Sequence, residues 1–347
     1  MTGWSAPISA RSNEAGGGNV SMKLAAAVSA VLMAASAVSP ARAAEPFTFV
    51  ALGDTTYAPP YDDPLYANLI ATVNAAHPAF SIHIGDTKGH GDCGRAFQEK
   101  ERGLFDTYEE PVVYTPGNNE WAECWRANRG GADPVEILKT MRSVFWAKPE
   151  SLGATTMPLV RLPDVDPAFP EYQELARWRH GGVTFATLNL AGTHNNQELR
   201  VESSWTEFVR REQANLAWVK RTFAEAHAQG DRAVVFAFHT NPFDPAIRYE
   251  NGPSEPVLQA ILDGADAFDG QVLVVHGHDH QFNVDRPASE LDIAKPGVSH
   301  PNLLRLEVYG WPDMKAVQVH VDVSKPWVFG FEPLYAADGS ISTHPPT

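Results

Sequence analysis

The 347-residue sequence predicts an α/β fold: a four-layer αββα sandwich, with two mixed β-sheets face to face and helices on the outside. Three observations predict it. Apolar runs alternate with helix-patterned segments from residue 47 onward, which implies right-handed crossovers and a largely parallel core. Two late runs, 303–309 and 315–323, alternate in the antiparallel manner and read as a second sheet. Hydrophobic residues make up 44% of the chain and charged residues 20%, so a large core is available and wholesale disorder is excluded.

Each element has its own signal. Residues 47–52 (FTFVAL) read as a buried strand ending at Gly53-Asp54. Residues 64–76 are helical in pattern. Residues 80–84 form a second strand ending at Gly85-Asp86, and 95–108 a helix. The run 111–115 (PVVYT) is a third strand, ending at Gly117-Asn118. Asp133-Pro134 opens a helix over 133–145, with Pro in the first turn. Residues 149–180 are Pro-rich and read as an irregular excursion over the site. A strand over 183–190, a long helix over 205–229 and a strand over 233–238 ending at His239 follow. Then come a short helix over 255–262 and a strand over 271–276 (QVLVVH) ending at Gly277-His278. One domain is expected over 44–347.

Residues 1–43 read as a targeting segment. Lys23 precedes a short Ala-rich apolar run, and Ala41-Arg42-Ala43 supplies an A-x-A cleavage pattern. The run is too short for a stable membrane anchor. Met22-Lys23 marks the expected true start, with residues 1–21 an upstream extension and cleavage after Ala43. The expected destination is the periplasm or the exterior, an oxidising setting. In that setting the two cysteines, Cys93 and Cys124, suit an intrachain disulfide, each lying about seven residues beyond a candidate ligand loop. Two free buried thiols are the alternative.

The formal charge is −15, from 27 Lys+Arg against 42 Asp+Glu. Such a surface argues against broad nucleic-acid binding, which needs basic patches. A bound metal can reverse the field locally, so a small anionic substrate stays open. No GxSxG elbow, P-loop or GxGxxG fingerprint occurs, which sets aside serine-hydrolase, NTPase and dinucleotide readings.

Five strands end in metal-capable side chains: Asp54, Asp86, Asn118, His239, and His278 with His280. In open α/β sheets, ligands bind outside the carboxyl ends of the strands. Carboxylates, an amide oxygen and imidazoles together suit Mn, Zn or Fe and are too rich in His for Ca or Mg alone. A single Asp after a strand is usually a turn residue. Five such ends in succession are poorly explained that way.

The order Gly53-Asp54, Gly85-Asp86, Gly117-Asn118-Asn119-Glu120, His239, Gly277-His278-Asp279-His280 resembles the calcineurin-like metallophosphoesterase superfamily, whose pattern is D-x-H, GD, GNH[ED], H, GHxH. The likeness spans about residues 47–282. It implies the four-layer metallo-dependent phosphatase fold and two divalent or mixed-valence transition-metal ions bridged by one Asp. It also implies hydrolysis of a phosphate ester or anhydride by a metal-bound hydroxide. Carried over by position, Asp86 would bridge. Asn118, His239 and His278 would complete one site, and Asp54 and His280 the other. The two-residue spacing of His278 and His280 would send both side chains from one face of an extended segment.

The sequence departs from the pattern twice. Thr56 stands where D-x-H has its His ligand, which thins the second site; Tyr57 is a candidate replacement. Its Gly-Asp-x-x-Tyr spacing is the one with which purple acid phosphatases supply a tyrosinate, although they carry it on their second GD motif. Asn119 stands where the family has its leaving-group His, and Asn cannot transfer a proton. His194 and His90 are candidate substitutes on rim loops, against the reading of exposed loop histidines. Lys88 is a candidate phosphate contact, against a solvated lysine. Arg126 and Arg129 could clamp a further phosphate or form surface salt bridges. Trp121 and Trp125 line the pocket or pack beneath it, and His83 and His276 read as structural. These runs suggest an exported subfamily with GNNE in place of GNHE. A monomer acting on a small phosphorylated substrate is expected. The competing reading is a metal-binding module of the same fold with weakened catalysis.

Overall fold

The computed structural model describes residues 44–243, 254–286, 300–337 and 341–346; the expected leader, with its start at Met22 and its cleavage site, lies outside them. The described elements are β1 (Phe47–Leu52), α1 (Asp63–Ala76), β2 (Ser81–His83), α2 (Arg95–Phe105), β3 (Val112–Tyr114), α3 (Pro134–Phe145), β4 (Val160–Arg161), α4 (Leu162–Val165), β5 (Ala176–His180), β6 (Val183–Thr187), α5 (Glu202–Gln229), β7 (Ala233–Ala237), α6 (Glu255–Asp266), β8 (Gln271–His276), β9 (Asn283–Asp285), β10 (Leu303–Glu307), β11 (Ala316–Val321) and β12 (Phe329–Leu334). The helices begin and end where local chemistry allows. Asp133 caps α3 by accepting from the Val135 amide at 2.8 Å, with Pro134 in the first turn. Helix α5 stops at Gly230, whose φ of 65° costs a glycine little.

The strands form two mixed sheets, ordered β12-β11-β1-β2-β3 and β4-β5-β6-β7-β8-β10-β9. In the first, β1, β2 and β3 run parallel; in the second, β6, β7, β8 and β10 do. Side-chain alternation then sets the layers. On β1, Phe49 and Ala51 enter the core between the sheets, where Val235 and Ala237 of β7 and Leu273 and Val275 of β8 meet them. Val50 and Leu52 face the other way, onto α1 and α3 through Leu69, Val73, Leu138 and Met141. Val234, Phe236, Val272 and Val274 face α5 and α6. Helix, sheet, sheet and helix are the four expected layers.

Two expectations need correction. The late runs do not form a sheet of their own. Strand β10 lies parallel to β8 in the second sheet, whereas β11 crosses over and lies antiparallel to β1 in the first. Nor is 149–180 irregular throughout. It contributes β4, α4 and β5, the antiparallel edge of the second sheet, with Trp178 buried between the sheets.

The parallel strands of both sheets deliver their carboxyl ends to one edge, and hydrogen bonds stitch the ends together. The Asp54 amide donates to Gly85 O at 2.9 Å, Thr115 Oγ1 to Leu188 O at 2.7 Å, and the Gly277 amide to His239 O at 3.0 Å.

Candidate metal centre

All the strand-end residues singled out in the sequence arrive at this edge. Asp54, Asp86, Asn118 and His239 are buried, and His278 and His280 partly so. Four of them hold left-handed backbone, which non-glycine residues rarely adopt: Asp54 (φ 52°), Asp86 (φ 52°), His278 (φ 80°) and His280 (φ 63°). Each such residue costs on the order of 1–3 kcal/mol, and clusters of them mark functional sites. The segment carrying the two histidines is therefore not extended, as the spacing suggested. The kinked backbone still sends the rings to different partners.

One group is Asp86, His239 and His278, whose ligand atoms all lie within 4.8 Å of one another. His239 Nε2 lies 3.3 Å from Asp86 Oδ1 and 3.2 Å from His278 Nδ1. The tautomer of His239 is fixed from behind, because its Nδ1–H donates to the Ile84 carbonyl at 3.0 Å. That leaves Nε2 turned into the site. Burial opposes charge on His239, but Asp86 and Asp54 outweigh it and raise its pKa to about 10. Burial and the His239 charge pull His278 down to about 4. Asp86 is held well below the usual carboxylate range, since His239 and the Asn119 amide outweigh its burial. Asn118 Oδ1 is a buried acceptor with no hydrogen-bond partner among the described residues. A carboxylate and two imidazoles, with a buried amide oxygen left unpartnered on the adjoining strand end, make a donor set that fits a divalent transition metal.

The second group is Asp54, His280 and Tyr57. His280 Nε2 lies 3.4 Å from Asp54 Oδ1 and 3.3 Å from the Tyr57 hydroxyl. Its Nδ1–H donates to the Trp311 carbonyl at 2.6 Å, so Nε2 again faces inward. The Tyr57 hydroxyl donates to Asp86 Oδ2 at 2.7 Å. Thr56 turns away: its hydroxyl reaches the carbonyls of Thr55 and Thr87 at 2.7 and 2.8 Å. Close packing leaves no room at two glycines, since a Cβ at Gly192 would strike the His278 ring and one at Gly117 the Asp86 carboxylate.

Asn119 donates its backbone amide to Asp86 Oδ1 at 2.9 Å and its side-chain amide to Lys88 O at 2.9 Å. The Lys88 ammonium is buried and donates to the carbonyls of Gly91 and Asp92 at 2.6 and 2.8 Å. His194 lies on the loop Thr193–Asn196, whose four residues all have positive φ. Thr193 Oγ1 accepts from Asn118 Nδ2 at 3.3 Å, so this loop borders the centre. His90 is exposed. Arg126 and Arg129 both pair with Glu123 at 2.9 Å. Trp121 is buried beneath the Arg211 guanidinium, whereas Trp125 lies partly exposed between Arg126 and Arg200. His83 and His276 are buried, and burial lowers both to about 3. Cys93 and Cys124 are joined by a disulfide. The bond ties the loop after Asp86 to the loop after Asn118.

A model of the calcineurin-like phosphoesterases matches residues 47–282. The chain belongs to this family. As a calcineurin-like phosphoesterase it has the family's two-sheet fold, and its candidate metal-binding group suits a family that usually binds divalent metals. No curated protein matches its sequence. Among solved structures it is similar to GAP50, described as the anchor in the inner membrane complex of Plasmodium, at 9% identity and a TM-score of 0.41, over 84% of this chain and 89% of that one. Among the described residues no helix is long and apolar enough to cross a membrane.

Sequence reasoning passed over two residues that shape this phosphoesterase's centre. Glu120 Oε1 accepts from the amides of Asp86 (3.1 Å) and Gly117 (2.7 Å) and from the Tyr114 hydroxyl (2.7 Å), which locks two ligand loops together. Burial and nearby Asp86 raise its carboxyl to about 7. Its place in the motif was the available signal. Arg211, fully buried, donates to Asn195 Oδ1 and O at 2.6 and 2.8 Å and to Glu207 at 2.7 Å. It carries the left-handed rim loop, and nothing in its local sequence sets it apart from a solvated helix arginine.

Proposed function

We propose that residues 44–347 form one exported domain that hydrolyses small phosphate esters or anhydrides at a dinuclear metal centre. The observation that carries this is the two-sided environment of Asp86. Its Oδ1 faces His239 at 3.3 Å, while its Oδ2 faces Tyr57 at 2.7 Å. A carboxylate so placed suits a bridge between two ions. Asp86, Asn118, His239 and His278 would hold one; Asp54, His280 and Tyr57, sharing Asp86, would hold the other. When bound, the ions lower the pKa of water to supply a nucleophile and neutralise phosphoryl charge.

The remaining steps fall to the chain. Asn119 holds Asp86 through its amide and offers no proton, so the leaving group's proton is assigned to His194 on the adjoining rim loop. Lys88 serves by position, its carbonyl holding the Asn119 side chain and its ammonium tying down residues 91 and 92. The Ala41-Arg42-Ala43 pattern supports export as a GNNE subfamily, and the buried disulfide suits an oxidising compartment.

The test is to strip the purified chain with a chelator and add back Mn, Zn or Fe(II). Hydrolysis of p-nitrophenyl phosphate and bis-p-nitrophenyl phosphate is then followed with and without Asp86→Ala. Hydrolysis that returns with metal and vanishes in the variant is the expected result. A chain that binds metal and hydrolyses neither ester would overturn the enzymatic reading. The absence of histidine at both 56 and 119 favours that second reading, a metal-binding module of the same fold.

A further inference from the structure

A second layer of contacts stands behind Asp54, Tyr57 and His280, and it comes from the far end of the sequence. Two loops shape this half of the centre. The loop carrying Tyr57 closes on itself through Asp62, whose amide donates to Ala58 O at 3.1 Å and whose Oδ2 accepts from the Ala58 amide at 2.8 Å. The loop carrying Trp311 accepts from His280 Nδ1 through the Trp311 carbonyl. It donates the Trp311 amide to Asp54 O at 2.8 Å and lays its indole parallel to the Tyr57 ring, 6.3 Å centre to centre. Residues 341–344 join the two loops. Ser342 Oγ donates to Asp62 Oδ1 at 2.6 Å, its amide donates to Pro312 O at 2.8 Å, and Ile341 bridges Asp313. The His344 ring lies flat on Tyr61, 3.8 Å away and 1° from parallel. Asp62 is fully buried and Ser342 only 7% exposed. Theirs is a charge-assisted bond sheltered from water, the stronger kind.

We propose that residues 341–344 are a strap that positions the Asp54–Tyr57–His280 half of the centre, with Ser342 and His344 as its positioning residues. The inference rests on the dinuclear reading. Outer contacts that orient ligands typically change metal affinity ten- to a hundredfold when removed. The strap touches the loops of one half and, among the described contacts, none of the residues around His239. Its loss should therefore split the two ions' affinities and not weaken both.

The experiment is calorimetric titration of the chelator-stripped full chain with Mn(II). The variants are Ser342→Ala/His344→Ala, the conservative Ser342→Thr, and a chain ending at Ala337. His280→Ala identifies which binding event belongs to this half. The expected result is a loss of about tenfold in that event alone for the double variant and the shortened chain. The other event stays unchanged, and Ser342→Thr restores the wild-type isotherm. Equal weakening of both events would show general loosening and overturn the proposal, as would no change in either. A wild-type chain with a single binding event would instead overturn the two-ion reading and the strap with it.

Discussion

The Tyr57 hydroxyl donates to Asp86 Oδ2 over 2.7 Å and lies 3.3 Å from His280 Nε2. A phenol oxygen therefore occupies the half of the centre left thin by Thr56, while Thr56 spends its own hydroxyl on the Thr87 carbonyl. Tyr57→Phe removes that oxygen and keeps the ring on Trp311. On the proposed two-ion reading it should weaken binding at Asp54 and His280 by about tenfold or more and leave binding at His239 unchanged. Metal content after dialysis against graded free Mn(II) reads this directly. Two ions retained at wild-type affinity would remove Tyr57 from the ligand set.

Asn119 sits where a proton donor would serve the leaving group, with its backbone amide on Asp86 Oδ1 at 2.9 Å. Asn119→His keeps that amide and adds a titratable ring. General acid catalysis contributes roughly 10²–10⁴-fold, most for poor leaving groups. With that proton assigned to His194, the ratio of alkyl phosphate to p-nitrophenyl phosphate turnover should stay within a few-fold of wild type. A selective rise of about 10²-fold for the alkyl phosphate would mean that no donor serves the leaving group in the wild type, and would remove His194 from that role.

How far the sequence discloses this centre depends on the kind of information involved. Strand-end residues were legible because parallel strands in a crossover fold must deliver their carboxyl ends to one edge, so Asp54, Asp86, Asn118 and His239 converge whatever the loops do. The strand over 271–276 was legible to the residue, since the Val-rich apolar run 272–275 lies between Gly270 and Gly277 and is too short for a helix. Pairing partners were not. Alternation in 303–309 and 315–323 says which faces are buried and nothing about neighbours, and the two strands entered different sheets. The left-handed backbone at His278 and His280 was equally hidden. Around it Gly277 packs against Asp54, and Gly310 against Asp54 and His280, and such approaches between residues far apart in the chain leave no local signal.

Arg211 carries the rim loop of His194 from inside the protein. Its guanidinium is fully buried against Glu207, Asn195 and the Asn189 carbonyl. Removing one partner of a buried pair strands the other, at about 3–5 kcal/mol. Arg211→Ala should show that loss in urea unfolding. Arg211→Met together with Glu207→Leu should recover most of the stability, because no charge is then left alone. Activity of the double variant should stay low, since Asn195 and its left-handed neighbours lose their anchor.

The Cys93–Cys124 disulfide closes a separation of 31 residues. In the chain-entropy account such a closure is worth about 3–4 kcal/mol. The pair Cys93→Ser/Cys124→Ser should lose about that much in denaturant unfolding. Both loops it joins carry centre residues, so metal affinity should fall alongside stability. A variant as stable as wild type would show that Glu120 alone suffices to hold the two loops.

Glu101 gives the protein an alkaline weakness away from the metal ligands. It lies on α2 with 4% of its surface exposed, and burial raises its carboxyl to about 8 against the pull of Lys100. The unfolded chain keeps the ordinary value of 4.5. Below that value both states are protonated and nothing is lost. Between 4.5 and about 8 the folded state binds the extra proton, so stability falls as pH rises and levels off above the folded pKa. Glu101→Gln keeps the shape and removes the titration. Melts of wild type and variant should nearly coincide at about pH 5. At about pH 9 the variant should melt higher, by about 2–4 °C for each kcal/mol released. The same offset at both pH values would mean that Glu101 is not held neutral in the folded chain.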